Sequence, residues 1–501
     1  MRELSVPGYQ VWGLLGEGGM SEVWLAKHEV LAAPVVVKTL RRALRASDTQ
    51  GAAARILQEA RLMARVASPR IVRALDAGEI PGVASEPDDA APTPFLVQEY
   101  VDGLDFAELD RRRRATLGIG LPLWLVCHVM REICTGLRAA HQAGVIHRDL
   151  KPSNVFGEPQ SGIRLGDFGI AVARSDGSPP ESAGTLPFMA PEQLRHGDVG
   201  RFTDVWGAGA TACDLRYGQP PFGSVGEILD ANAAPRLPPP SSPAEAYFQD
   251  VIRRMLAKDV RDRPADVLAP LSHFAMLNKA LEPPEPAVSR VGPSALLFGR
   301  LELCFAVGDI AAATADAIVS SANFELRMRS GVGEALRLRG GDELEREAMA
   351  GGQQPLGSCV RTGAGALQTG HVFHAVSAWN EVSCVGRAFA RALILAEEHG
   401  CASIAAPALG TGAARVGVEM CANAMMTTLR WHTMLGGTRV RKVTIWLDSE
   451  AKRRLYQDVA EEVLGLHDGR HFGPPDIGLS DDNAVVTPDG ATFLDPRPSG
   501  R

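Results

Sequence analysis

His147-Arg148-Asp149-Leu150-Lys151-Pro152-Ser153-Asn154 is the stretch on which the reading of this chain turns. It places a carboxylate, an ammonium and an amide within a few positions of one another. The preceding residues 126–144 carry apolar side chains at every third or fourth position and stop at Gly144, which predicts an amphipathic helix ahead of the stretch. Downstream lie Asp167-Phe168-Gly169, Gly184-Thr185, Ala190-Pro191-Glu192, Asp204 in TDVWGAG and Arg263 in VRDRP. Upstream, FLVQEYVDG occupies 95–103, Glu59 stands in the helical pattern QEARLMARV, and Lys38 ends the strand-like VVVK. Furthest out is the glycine-rich run Leu15-Gly16-Glu17-Gly18-Gly19-Met20-Ser21-Glu22-Val23 between two strand-like segments.

Phosphoryl transfer requires phosphates held by backbone amides, a cation on them, metal ligands, and an aspartate that orients the nucleophile. Singly the pieces say little: a glycine-rich loop is more often a hairpin turn, and a lone Lys or Glu more often a solvated surface group. Together and in this order, over about residues 9–275, they resemble the eukaryotic-like bacterial Ser/Thr protein kinases. The resemblance implies a bilobal α+β fold that uses ATP and Mg²⁺, with Mn²⁺ as an alternative. It makes Asp149 the proton acceptor, Lys151 the neutraliser of phosphoryl charge and mark of Ser/Thr specificity, and Asn154 and Asp167 the metal ligands. Lys38, held by Glu59, reaches the α/β-phosphates. Val36, where Ala is usual, lies against the adenine, whose edge bonds to the backbone of Glu99 and Val101, with Gln98 guarding the rear pocket. Ser21 replaces the usual third Gly of the loop. Asp204 braces the catalytic loop and Arg263 pairs with Glu192, while His147 and His141 are structural. Arg148 before the catalytic Asp implies autophosphorylation in the activation segment, at Ser175, Ser178 or Ser182, with Thr185 a structural partner of Asp149 and Lys151. None of Lys38, Asp149 or Asp167 is lost, which predicts an active enzyme.

Beyond residue 293 the pattern changes to alternating strands and helices, the mark of a three-layer α/β/α domain. Gly308-Asp309-Ile310, AIVSSAN ending at Asn323, Ser330-Gly331-Val332-Gly333, and Gly410-Thr411-Gly412-Ala413 follow one another there. They resemble macrodomains, modules that bind ADP-ribose. The resemblance implies that Asp309 bonds the adenine amino group and that loops 328–335 and 409–415 clamp the diphosphate through backbone amides and a helix N-terminus. Departures fall at this site. Ser320 replaces an Asn, Gly333 replaces the acid of one hydrolase class, and the adenine-stacking aromatic aligns with Leu447, with Trp446 on the opposite face. Binding without Asp-dependent hydrolysis is expected; a nucleotide-free protein-docking module and a weak ADP-ribosyl hydrolase are the alternatives.

Prolines and glycines divide the chain into 1–280, a linker 281–293, a domain 294–466 and a disordered tail 467–501. Apolar residues at 45% and a net charge of −7 fit ordinary soluble domains and give no reason to expect nucleic acid or an anionic membrane as partner. Eight scattered cysteines without a CxxC pair read as reduced buried thiols. With no secretory signal and no long apolar run, a cytoplasmic location is expected. Protein hydroxyls are the expected substrates and ADP-ribosylated proteins expected partners, and a kinase-domain dimer is left open. The run Arg111–Arg114 reads as a solvated helix end or loop.

Overall fold

The computed structural model describes residues 4–17, 21–41, 49–81, 92–158, 162–168, 185–379, 382–412 and 415–466. The expected tail 467–501 lies outside these residues. In the N-terminal domain a five-stranded antiparallel sheet runs in the order Tyr9–Glu17, Ser21–His28, Pro34–Leu40, Thr93–Glu99, Ala74–Ile80. Side chains alternate across a strand. Val35 and Val37 therefore sit in one apolar cluster with Tyr9 and Phe95, while Val36 and Lys38 face the other way. The helix Thr49–Met63 covers that second face, its Ile56, Ala60 and Met63 packing on Leu40 and Leu96.

The helical half is built around Leu123–Gln142, whose buried stripe includes Leu125, Val129, Met130, Ile133 and Leu137. It stops where expected: Gly144 takes φ +73°, a left-handed conformation cheap only for glycine. The short strands Val155–Glu158 and Gly162–Leu165 form a hairpin directly after the quoted stretch, which fixes that stretch at the junction of sheet and helices.

The C-terminal domain is an eight-stranded sheet between two helical layers. Its order is Cys359–Thr362, His371–Val376, Ala317–Ala322, Ser403–Pro407, Lys442–Leu447, Leu301–Val307, Ala295–Phe298, Val288–Gly292. The middle five strands pair in parallel and the outer ones antiparallel. Val385–Glu398, Val418–Met434 and Glu450–Leu464 cover one face, Gly331–Gly340 and Glu343–Met349 the other. The segment 281–293 is less of a linker than its prolines suggested. The helix Leu268–Leu281 enters it, and its last residues form the edge strand Val288–Gly292, so irregular backbone is confined to 282–287 around Pro283, Pro284 and Pro286.

The two domains are docked. Arg391 donates to both carboxylate oxygens of Glu108 at 3.0 and 2.8 Å. Arg113 donates to the carbonyls of Leu435 and Gly436, both at 3.2 Å. The reading of Arg111–Arg114 as solvated is thereby corrected. The helix Phe106–Leu117 lies along the interface, so Arg113 is buried, and Arg112 pairs with Glu108 and Glu398.

Candidate active site and nucleotide-binding residues

Lys38 leaves its strand on the helix-facing side, and its Nζ lies 3.0 and 3.2 Å from the two oxygens of Glu59 and 3.1 Å from Asp167 Oδ1. Burial by itself would discharge this ammonium, but the Asp167 and Glu59 carboxylates outweigh it and hold its pKa above the usual lysine value. Lys38 in turn keeps the Asp167 carboxyl below its ordinary range. Asp167 adopts φ +49°, a costly conformation for a residue with a Cβ that persists where its surroundings enforce it.

A second cluster forms on the quoted stretch. Lys151 Nζ donates to Asp149 Oδ2 and to Thr185 Oγ1, both at 2.8 Å. Asn154 Nδ2 donates to the Asp149 carbonyl at 2.8 Å and to Asp149 Oδ2 at 3.1 Å. Two donors thus converge on Asp149 Oδ2, while its Oδ1 is buried and finds no partner among the described residues. An unpaired buried carboxylate oxygen is costly unless something arrives to use it. Asp204 holds the loop from behind, accepting from the backbone N–H of His147 and Arg148 at 2.9 and 2.8 Å and meeting His141 Nε2 at 2.7 Å. His147 is fully buried, its ring against Phe168 and its Nε2 3.0 Å from the Gly166 carbonyl, and burial lowers its pKa. The Arg263 guanidinium reaches Glu192 at 2.8 and 3.3 Å with its side chain wholly buried.

At the rear of the cleft Gln98 donates to Met63 Sδ at 3.2 Å. The Glu99 carboxylate is tied to Arg73 and Arg164, and its N–H donates to the Arg73 carbonyl at 3.0 Å. Gly18, Gly19 and Met20 lie outside the described residues, as do Ser175, Ser178, Ser182 and Ala413. The flanking Leu15, Gly16 and Glu17 end one strand while Ser21, Glu22 and Val23 begin the next, with Val23 opposite Lys38.

In the C-terminal domain Asp309 projects from the end of Leu301–Val307, as expected, but both of its oxygens are engaged. Oδ1 accepts from the Ala311 N–H at 2.9 Å and Oδ2 pairs with Arg339 at 3.0 Å. Sequence reasoning missed Arg339, whose place on the facing helix no local motif signals. Ile310 is buried beneath that turn. Asn323 closes its own loop, accepting from the Arg327 N–H at 3.2 Å, while Ser320 Oγ is buried without a partner among the described residues. Ser330 is the N-cap residue of Gly331–Gly340 but caps it with no side-chain bond, leaving the first-turn amides of Gly331, Val332 and Gly333 to be satisfied by something else. The four loop glycines divide. A Cβ at Gly331 or Gly412 would meet nothing within 4 Å among the described residues. One at Gly333 would press on Met328 Cα at 3.3 Å, and one at Gly410 on Val385, Ala378 and Cys421 at 3.1–3.3 Å. Thr411 Oγ1 donates to the Ala408 carbonyl at 3.0 Å.

The aromatic position needs correcting. Leu447 is buried in the layer of the three long helices, with Val443 and Ile445. Trp446 faces the other way, its ring edge 3.5 Å from the place a Cβ on Gly308 would take, beside the Ile310 and Val332 cluster. The face opposite Leu447 is the one that carries Asp309, so the indole stands on the expected adenine side.

Residues 9–274 match the protein kinase domain family, and residues 319–425 match the Macro domain family. The chain is 34% identical over 265 residues to serine/threonine-protein kinase PknB of Mycobacterium tuberculosis, covering 51% of this chain and 40% of that protein. It is 31% identical over 305 residues to serine/threonine-protein kinases drp72 of Corynebacterium efficiens, covering 59% of this chain and 56% of that one. A crystal structure of the Mycobacterium tuberculosis PknI kinase domain aligns with TM-score 0.43 and 28% identity over 55% of this chain and 98% of that chain. The chain therefore spans 40–56% of the length of these two curated relatives. No helix among the described residues is long and apolar enough to cross a membrane. With its kinase match extending over more than half of its length and a Macro domain behind it, this chain belongs to the protein kinase family.

Proposed function

We propose that the chain is an ATP-dependent Ser/Thr protein kinase whose macrodomain binds ADP-ribose and directs or regulates it. The observation that carries the catalytic half is Asp149 Oδ1, without a partner among the described residues, beside the Lys38–Glu59–Asp167 cluster. A Ser or Thr hydroxyl donating to Oδ1 would be oriented for attack and would lose its proton there, while Lys151, already bonded to Oδ2, offsets charge on the moving phosphoryl group. Asp167 and the Asn154 amide oxygen are hard donors of the kind Mg²⁺ takes. Bound there with the nucleotide, the ion would neutralise phosphate charge. Lys38, kept protonated, would hold the α/β-phosphates, and the Glu99 carbonyl with the Val101 N–H would seat the adenine.

For the macrodomain, support comes from the uncapped first turn at Gly331, the open space at Gly331 and Gly412, and Trp446 beside Asp309. With no acid at Gly333 to orient a water, binding without Asp-dependent hydrolysis is the reading. One observation favours the docking alternative: Asp309 is already paired with Arg339. Incubating the purified chain with [γ-³²P]ATP, Mg²⁺ and a Ser/Thr-rich protein tests the first half, with phosphoserine or phosphothreonine expected and phosphotyrosine alone contradicting it. Calorimetry with ADP-ribose tests the second, and a silent titration at millimolar ligand would hand the domain to docking.

A further inference from the structure

The kinase hinge ends by capping a helix of the other domain. Asp102 directly follows Val101, and its carboxylate accepts from the backbone N–H of Gly386 and of Arg387, both at 2.9 Å. These are second- and third-position amides of the helix Val385–Glu398, whose own N-cap residue, Cys384, makes no side-chain cap bond. A carboxylate there satisfies orphan donors and complements the positive end of the helix. The same first turn reaches the diphosphate loop, because Val385 Cγ2 lies 3.1 Å from the place where a Cβ on Gly410 would stand. Gly410 itself is fixed at φ +78°. Around this bridge Leu15, Leu25 and Tyr100 of the kinase share one apolar cluster with Phe324, Leu326 and Cys384 of the macrodomain. One turn of helix therefore touches both the segment that would seat adenine and the loop that would clamp a diphosphate.

We infer that the ATP cleft and the macrodomain crevice are thermodynamically coupled through this turn: a nucleotide that orders the hinge orders the Asp102 cap, and the cap holds Val385 against Gly410. The coupling is positive, since the second ligand meets a loop whose ordering cost the first has already met, and it is reciprocal, as linkage requires. The ADP-ribose arm rests on the binding reading given above; the mechanical arm rests only on the contacts. A helix cap is worth enough to change an affinity by about twofold to thirtyfold, which bounds the effect.

The test is hydrogen exchange on the full chain, with and without a saturating non-hydrolysable ATP analogue and Mg²⁺, followed at the hinge, at 384–390 and at 408–412. Slowing of about fivefold is expected at all three in the wild type. In Asp102→Ala only the hinge should respond. Gly386→Ala gives a second route from the macrodomain side, its new Cβ lying 3.0 Å from Asp102 Oδ2 and crowding the cap out. Hinge protection with no change at 384–390 in the wild type overturns the inference, as does an undiminished response in both variants. Protection nowhere overturns it together with the nucleotide reading beneath it. In parallel, ADP-ribose should bind about fivefold more tightly with the analogue present. A titration silent with and without the analogue would remove the ADP-ribose reading and leave exchange to decide the coupling, while equal affinities would overturn it.

Discussion

Trp446 and Leu447 are neighbours that end on opposite faces, and the difference decides which of them could meet a nucleotide in the proposed site. Strand alternation was visible in the sequence; which face carries the ligand was not, because that depends on where the helices pack. With the indole beside Asp309, Trp446→Ala should weaken ADP-ribose binding about fivefold or more, since stacking a base on an aromatic side chain is worth about 1–3 kcal/mol. Unchanged calorimetric affinity would remove the indole from the site. Arg339 makes the opposite prediction. It pairs with Asp309 Oδ2 at 3.0 Å on a surface about half exposed at both ends, so it must yield before an adenine amino group can donate there. An exposed pair contributes about 0–1 kcal/mol, and Arg339→Ala should tighten ADP-ribose by up to about fivefold. A loss of affinity would show that Arg339 holds the ligand itself. The candidate catalytic residues were far more legible. Lys38, Asp149, Lys151, Asn154 and Asp167 each carry a chemical requirement at a fixed spacing, and the structure brings them together with Glu59 and Thr185.

At the scale of elements, the same residue type does different work in one helical turn. Gly331 stands at φ +56° with nothing within 4 Å of a Cβ among the described residues, whereas a Cβ at Gly333 would press on the Met328 backbone at 3.3 Å. Motif matching treats the two alike, because a sequence does not say whether a missing Cβ makes room for a ligand or for a neighbouring segment of backbone. The buried Glu192–Arg263 pair ties the end of the activation segment to the helical lobe. Breaking a buried pair leaves an uncompensated charge, so Arg263→Ala should lower stability by about 3–5 kcal/mol. Urea unfolding followed by tryptophan fluorescence should show the midpoint falling, and an unaltered midpoint would mean that water reaches Glu192. The element least legible in advance was Phe106–Leu117. Its arginines look solvated in sequence, and their partners Leu435, Gly436 and Glu398 lie some 280–320 positions away, beyond any local pattern.

Across the whole molecule, both fold classes were readable from the order of strands, helices and motifs, but their mutual docking was not. Contacts such as Arg391–Glu108 leave no periodicity behind. They do leave a pH dependence. Burial alone would raise the Glu108 pKa, but the Arg391 guanidinium outweighs it and holds the carboxyl below its ordinary 4.5. A depressed folded-state value means that the contact contributes fully above about pH 4.5 and is lost as pH falls through the lower, docked value. Small-angle scattering should therefore show the radius of gyration growing on acidification below that point, and Arg391→Ala should show the expansion already at neutral pH. A radius indifferent to both would mean that the apolar cluster around Leu25 and Leu326 suffices to hold the domains. The proposed transfer of phosphate to protein hydroxyls through Asp149 is measured most directly by single-turnover ³²P transfer at saturating ATP by the wild type and by Asp149→Asn, with ATP affinity measured on both. ATP affinities should be nearly equal and the rate reduced by about a hundred- to ten-thousandfold in the variant. Undiminished transfer by folded Asp149→Asn protein would contradict it.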